Sequence, residues 1–87
     1  MEDTADPRER ATAAKRAALA ALSSAASRGQ GAKDAPSCAG YYVSAALEYQ
    51  AATTEFEADH KMAGYAHMVV ADAWYHAGEM CEAGTFP

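Results

Sequence analysis

Apolar residues in the middle of the chain recur at alternating spacings of three and four, which is typical of an amphipathic α-helix. The positions of this stripe are Tyr42, Ala45, Tyr49, Ala52 and Phe56, and it is widened by Val43, Ala46 and Leu47. Ser37 is a suitable N-cap residue. The pattern therefore predicts a helix that begins near Ser37 and ends just beyond Phe56.

A second helical pattern begins near Asp59 or His60, and its apolar residues form two adjoining flanks. One flank holds Met62, Ala66, Val69, Ala73 and Met80, and the other holds Ala63, Val70, Trp74 and Ala77. An apolar arc of this width predicts two packing neighbours. One neighbour should be the preceding helix, and the other an N-terminal helix or another subunit.

These two patterns predict an antiparallel helical hairpin that turns near Asp59. In such a hairpin, residues equidistant from the turn face one another. The implied register pairs Tyr42 with Ala77, Ala45 with Trp74, Tyr49 with Val70, and Phe56 with Ala63. Large residues then face small ones, as close packing requires.

The N-terminal segment predicts a third helix, from Pro7 to about Arg28. Asp6 is a suitable cap, and Pro7 fits the first helical position. Gly29 is the expected stop, and residues 29–36 are predicted to be a flexible linker. Large apolar anchors are scarce on this helix: its predicted inner face holds Leu19 and Leu22 beside Ala11, Ala14, Ala18 and Ala25. The helix should therefore either lie very close to the hairpin through small side chains or dock on something else.

The predicted fold class is therefore all-α, with three helices in one small domain. Residues 1–36 form an alanine-rich basic helix and its linker, and residues 37–87 form an acidic antiparallel hairpin. With 87 residues, of which 24 are alanine, the chain buries little apolar surface. A chain of this size is near the lower limit at which a domain folds without help from a disulfide, a metal or a partner.

Cys38 and Cys81 are equidistant from the predicted turn, so they should lie beside each other at the open end of the hairpin. A disulfide there would contribute roughly 3 to 4 kcal/mol in the chain-entropy treatment. The alternative is a pair of buried thiols, because the cytosol keeps most thiols reduced. The sequence leaves both interpretations open.

The net charge of −5 is distributed unevenly. Residues 1–36 carry six basic and five acidic residues, whereas residues 37–87 carry Lys61 alone against seven acidic residues. An acidic hairpin repels phosphate, so nucleic-acid binding through it is not expected. The charge instead favours a protein partner with a basic surface, or another copy of the chain.

The chain begins without a basic, apolar signal segment, and no apolar run approaches the roughly 18 to 20 residues of a membrane span. These features predict a cytoplasmic protein that has no membrane contact. The alanine-rich composition suggests a bacterial or phage origin.

Two weak metal-ligand patterns occur in the hairpin. Asp72, His76 and Glu79 share one helical face, and Glu57 with His60 has the Glu-x-x-His spacing of ferritin-like di-iron helices. A solvated polar face is the simpler interpretation of both, so no metal or cofactor is predicted. His67 lies in an apolar stretch and is expected to be a packed histidine, and no nucleophile or phosphate loop is evident.

Aromatic residues are concentrated in the hairpin. Tyr41, Tyr65 and Tyr75 fall off the face that the two helices share, so they are candidates for a partner-binding surface, together with Glu48, Glu55 and Asp72. The alternative for the tyrosines is packing beneath the N-terminal helix. The two interpretations have equal support from the sequence.

The alanine pairs of residues 45–56, Met62-Ala-Gly-Tyr-Ala66 and Val70-Ala-Asp-Ala-Trp74 carry a family resemblance. Residues 42–77 resemble one helical hairpin of the tetratricopeptide class, in the longer-helix form of soluble NSF attachment proteins. The chain departs from that pattern in its shorter turn and in having one repeat. The resemblance implies a hairpin used for protein binding, and it transfers no functional residue.

Taken together, these features predict a non-enzymatic, helical protein-binding module. It would act as an accessory subunit or a phage-type inhibitor through the acidic, aromatic-bearing hairpin. A metal-binding ferritin-like oligomer is the alternative function. An enzyme that uses His67 or His76 is the least favoured.

Overall fold

The computed structural model describes residues 7–31 and 36–84, with side chains from Arg8 to Ala26 and from Cys38 to Gly84. They form three helices: α1 (Pro7–Gly31), α2 (Pro36–Glu57) and α3 (Lys61–Ala83). The predicted all-α three-helix fold is confirmed. Within the described ranges, no helix is long and apolar enough to cross a membrane.

The end of α1 differs from the prediction. The helix continues through Gly29 to Gly31, so the first part of the predicted linker is helical. Glycine costs a helix about 1 kcal/mol but ends it only when its backbone becomes left-handed. Among the described glycines, that conformation occurs at Gly84, which closes α3 with φ 73°. Asp6 and residues 32–35 lie outside the described part of the chain.

The hairpin turns where the sequence predicts. α2 ends at Glu57, and Asp59 adopts a positive φ of 62°. Aspartate is one of the few residues that tolerate this left-handed conformation. The backbone N–H of His60 donates to the Glu55 carbonyl at 2.7 Å, which closes the turn before α3 begins at Lys61.

α2 is the central helix, and α1 packs on it through alanines. The buried face of α1 consists of Ala11, Ala14, Ala18, Ala21 and Ala25. The first four of these pack in two clusters with small α2 residues such as Ala45 and Ala52. The prediction that Leu19 and Leu22 anchor α1 is wrong: they are 60% and 40% exposed. Alanines let the two helix axes approach closely, which leaves the longer leucines on the flank.

The α2–α3 interface places aromatic rings on glycines. Tyr42 is 1% exposed and lies over Gly78, and Phe56 is 2% exposed and lies over Gly64. Large residues therefore face small ones, as predicted. Each predicted partner differs by one residue: Tyr42 lies over Gly78 instead of Ala77, and Phe56 over Gly64 instead of Ala63. Glycine has no Cβ, so each ring rests directly on the α3 backbone.

Cys38 and Cys81 form a disulfide at the open end of the hairpin, with their Cα atoms 5.6 Å apart. The predicted proximity of the two cysteines is thus confirmed. They form a disulfide and are not a pair of buried thiols. The Cys38 side chain is buried. The bond fixes the start of α2 to the end of α3.

Candidate protein-binding surface

The outer face of α3 is apolar and exposed. We define it by Met62, Ala66, Val69, Ala73 and Met80, which is one of the two flanks predicted from the sequence. Met62 is 81% exposed and Val69 is 68% exposed, while Met80 is half-buried. Of the two neighbours predicted for this flank, the N-terminal helix therefore does not cover it, and another subunit stays a prediction.

The reason lies on the opposite side of the same helix. The buried residues of α3 are Gly64, Ala71 and Gly78, spaced seven apart. These small residues receive large side chains of α2, and Met68 of α3 packs beside them, partly buried. Met62 and Val69, in contrast, are largely exposed on the other side of the helix.

An apolar notch adjoins the outer face on the side of α2. It has a volume of about 420 Å³ and is lined by Tyr41, Val69, Val70, Ala73, Trp74 and Ala77. The Tyr41 and Trp74 rings form one wall, with centroids 5.9 Å apart and planes inclined at 33°. Trp74 is 38% exposed, which corrects its predicted place opposite Ala45 inside the hairpin.

Two histidine–glutamate pairs continue along the same side of the hairpin. His67 Nδ1 lies 2.7 Å from Glu48 Oε1, and His60 Nδ1 lies 2.8 Å from Glu55 Oε1. On α2, Glu48 and Glu55 follow Tyr41 at intervals of seven residues. Their partners His67 and His60 precede Trp74 at the same interval. This side of the hairpin thus carries one aromatic pair and two polar pairs.

The other edge of the outer face is acidic. Asp72 accepts a hydrogen bond from the Tyr49 hydroxyl, and Glu79 lies 3.6 Å from His76. Burial raises the pKa of the Tyr49 phenol well above its ordinary value of 10.0, and the hydrogen bond to Asp72 and its charge add to this rise. Between Lys61 and the end of α3 there is no lysine or arginine.

Tyr65 and Tyr75 both contact α1. Tyr65 Oη lies 2.6 Å from Arg10 Nε, and its ring packs edge-on against Phe56. The Tyr75 and Ser24 hydroxyls are 3.1 Å apart. Tyr75 therefore fits the alternative interpretation, packing beneath the N-terminal helix, whereas Tyr65 contacts α1 and is still 39% exposed. Of the three candidate tyrosines, Tyr41 is the one that lines the notch.

The candidate metal ligands are not brought together into a metal-binding group. His60 pairs with Glu55 across the turn instead of with Glu57, and Asp72 is engaged by Tyr49. Across residues 7–31 and 36–84, no group of three or more histidine, cysteine or carboxylate side chains is placed to hold a metal ion. His76 and Glu79 remain an exposed pair on α3.

Sequence reasoning identified the apolar flank of α3 but left open whether α1 or another subunit covers it, and it missed the notch. The signal that could have indicated the exposed flank is the seven-residue spacing of Gly64, Ala71 and Gly78. A small-residue face opposite a face of valine and methionine predicts close packing on the small side. The larger residues must then point outward.

Comparison with known proteins adds no relative. No protein-family model matches the chain, and searches of curated proteins and of solved structures find no significant match. The resemblance to a tetratricopeptide-type hairpin stays a prediction.

Proposed function

We propose that this protein is a non-enzymatic binding module that docks a protein partner on the outer face of α3 and the adjoining notch. The observation that carries the proposal is the exposure of large apolar residues along α3, with Met62 at 81% and Val69 at 68%. Contiguous apolar surface of this kind commonly marks an interaction site.

The character of the surface supports a protein partner. Aromatic residues are enriched at binding hot spots, and the Tyr41–Trp74 wall provides two of them beside a notch that a side chain can enter. The acidic edge formed by Asp72 and Glu79 favours a partner with a basic surface. An accessory subunit of a larger assembly and a phage-type inhibitor of a basic host surface both fit these properties.

The disulfide bears on where the protein works. Disulfides persist in oxidising compartments and are rare in a reducing cytosol. The Cys38–Cys81 bond therefore supports an oxidising location, in opposition to the cytoplasmic location predicted from the sequence. Alkylating the native protein with a thiol reagent that changes its gel mobility tests this: a bonded pair takes up no label before reduction, and free thiols take up two.

Affinity capture from the native source with two matched variants tests the binding function. Val69→Asp places a charge on the outer face, whereas Leu47→Asp places one on the exposed side of α2, where Leu47 is 60% exposed. We expect a partner that Leu47→Asp retains and Val69→Asp loses. Equal retention by both variants would remove the outer face as the binding site.

A further inference from the structure

The spacing of the outer face matches the seam of a coiled coil. The residues 62, 66, 69, 73, 76 and 80 are separated by four, three, four, three and four positions. Five of these six positions are apolar, and the sixth is His76, whose side chain is 71% exposed. Alternating spacings of three and four are what knobs-into-holes pairing between two helices requires.

The length of this seam also suits a helical occupant. From Met62 to Met80 it extends about 27 Å at 1.5 Å per residue. A helix crossing at about 20° can follow such a seam over its whole length.

The two edges of the seam differ in chemistry. On one edge, Asp72 and Glu79 immediately precede the seam positions Ala73 and Met80. On the other edge, Val70 and Ala77 follow seam positions and continue into the notch walled by Tyr41 and Trp74. A matching helix needs basic side chains along the first edge and an apolar side chain that enters the notch along the second.

These features identify the occupant, and the inference rests on the binding function proposed above. We propose that α3 pairs in coiled-coil fashion with an amphipathic helix of a partner protein that carries lysine or arginine beside its apolar seam. The carboxylates of Asp72 and Glu79 face those basic groups. The notch accepts one large apolar side chain of the partner.

A second copy of the chain fits less well. Antiparallel pairing of two α3 helices sets like edges against each other, so Asp72 and Glu79 meet the same residues of the other copy and repel them. Parallel pairing sets these carboxylates against the apolar edge, where their desolvation is uncompensated. The exposed face of α1 is basic, but its large apolar residues, Leu19 and Leu22, span a single turn against the five turns of the seam.

The sequence contains one tryptophan, and it lines the notch, so fluorescence of Trp74 reports on this site directly. The probe is a tryptophan-free synthetic helix of about three heptads, with leucine at the seam, lysine along one flanking edge, and alanine with one central leucine along the other edge. The lysines also keep the free peptide from pairing with itself. A matched peptide has glutamate in place of each lysine.

We expect the lysine peptide to shift Trp74 emission to shorter wavelength in a saturable way and to bind at least about tenfold tighter than the glutamate peptide. Glu79→Lys, at an exposed position, should narrow or reverse this preference, and raised salt should weaken lysine-peptide binding. Val69→Asp should weaken binding by about tenfold or more, because an apolar side chain that the bound helix would cover is replaced by a charge. Leu47→Asp should bind like the parent.

Equal affinity for the two peptides, or no binding of either, would overturn the basic-helix proposal. So would a stable dimer in sedimentation that the lysine peptide fails to displace, because the seam would then belong to a second copy. The capture experiment distinguishes failure of the basic-helix proposal from failure of the proposed binding function. A natural partner lost with Val69→Asp, combined with no peptide binding, leaves the binding function intact and rejects only this occupant.

Discussion

The inner and outer faces of α3 reverse the usual arrangement of an amphipathic helix. The buried residues of the inner face, against α2, are Gly64, Ala71 and Gly78, with Met68 partly buried beside them, whereas Met62 and Val69 lie on the outer face in solvent. Much of the bulk at the inner interface comes from the rings of α2. Apolar character alone therefore does not determine which face of a helix is buried when the neighbouring helix supplies the large side chains.

The largest effect on stability should follow from cutting the covalent link that holds the inner face onto α2. Replacing both Cys38 and Cys81 with alanine should lower the free energy of unfolding by about 3 to 4 kcal/mol, because the unfolded chain is no longer closed into a loop. Urea unfolding followed by circular dichroism measures this loss. A loss below about 1 kcal/mol would mean that packing alone fixes the hairpin.

The next largest effect should come from adding a methyl group to the inner face. A Cβ at Gly64 would lie 2.5 Å from a ring carbon of Phe56, and one at Gly78 would lie 2.8 Å from a ring carbon of Tyr42. Gly64→Ala and Gly78→Ala should therefore each destabilise the protein by about 1 to 3 kcal/mol through overpacking.

Gly40 provides the matched control for these two substitutions. A Cβ at this α2 glycine has no neighbouring atom within 4 Å. Gly40→Ala should stabilise the protein by about 0.5 to 1 kcal/mol, because alanine is the better helix former. If all three substitutions stabilise the protein alike, the rings do not rest on the α3 glycines.

A smaller effect should follow from removing the hydrogen bond between Tyr49 and Asp72. Tyr49→Phe should cost about 0.5 to 1.5 kcal/mol at neutral pH. Folding raises the pKa of Tyr49, so the protonated phenol stabilises the folded state fully below pH 10.0. This stabilisation is lost as the pH rises above that value. The variant should therefore lose less stability than the parent in alkaline unfolding measurements; an identical alkaline loss would exclude this linkage.

The smallest effect on stability should come from polar substitution on the outer face. Met62→Gln and Val69→Ser should change the free energy of unfolding by less than about 0.5 kcal/mol, because both side chains are largely exposed. Thermal unfolding of the purified protein checks this. A loss comparable to that of Gly64→Ala would show that the outer face is core and would break the contrast between the two faces.

Much of the fold was predictable because local chemistry specifies it. The spacing from Tyr42 to Phe56, the turn at Asp59 and the symmetry of Cys38 and Cys81 together give the hairpin. The end of α1 was not predictable from Gly29, since glycine stops a helix only in a left-handed conformation. Close packing of α1 through its alanines was one of the predicted alternatives and is what the structure has, but Leu19 and Leu22 were wrongly placed on its inner face.

The candidate surface was predictable only in part. Tyr41 was identified, but Trp74 was expected inside the hairpin, and Tyr65 and Tyr75 lie against Arg10 and Ser24 of α1. The outer flank of α3 was recognised as apolar and was expected to be covered. Periodicity gives the direction of a side chain around its own helix, but the position of the neighbouring helix decides whether that direction is buried.

Photo-crosslinking in the native source tests the central claim, that the outer face of α3 binds a partner, most directly. A photoreactive phenylalanine analogue is placed at position 69 on the outer face and, in a separate variant, at position 47 on the exposed side of α2, replacing residues of similar exposure. We predict one discrete crosslinked partner from position 69 and none from position 47. The same products from both positions, or no product from position 69, would contradict the account.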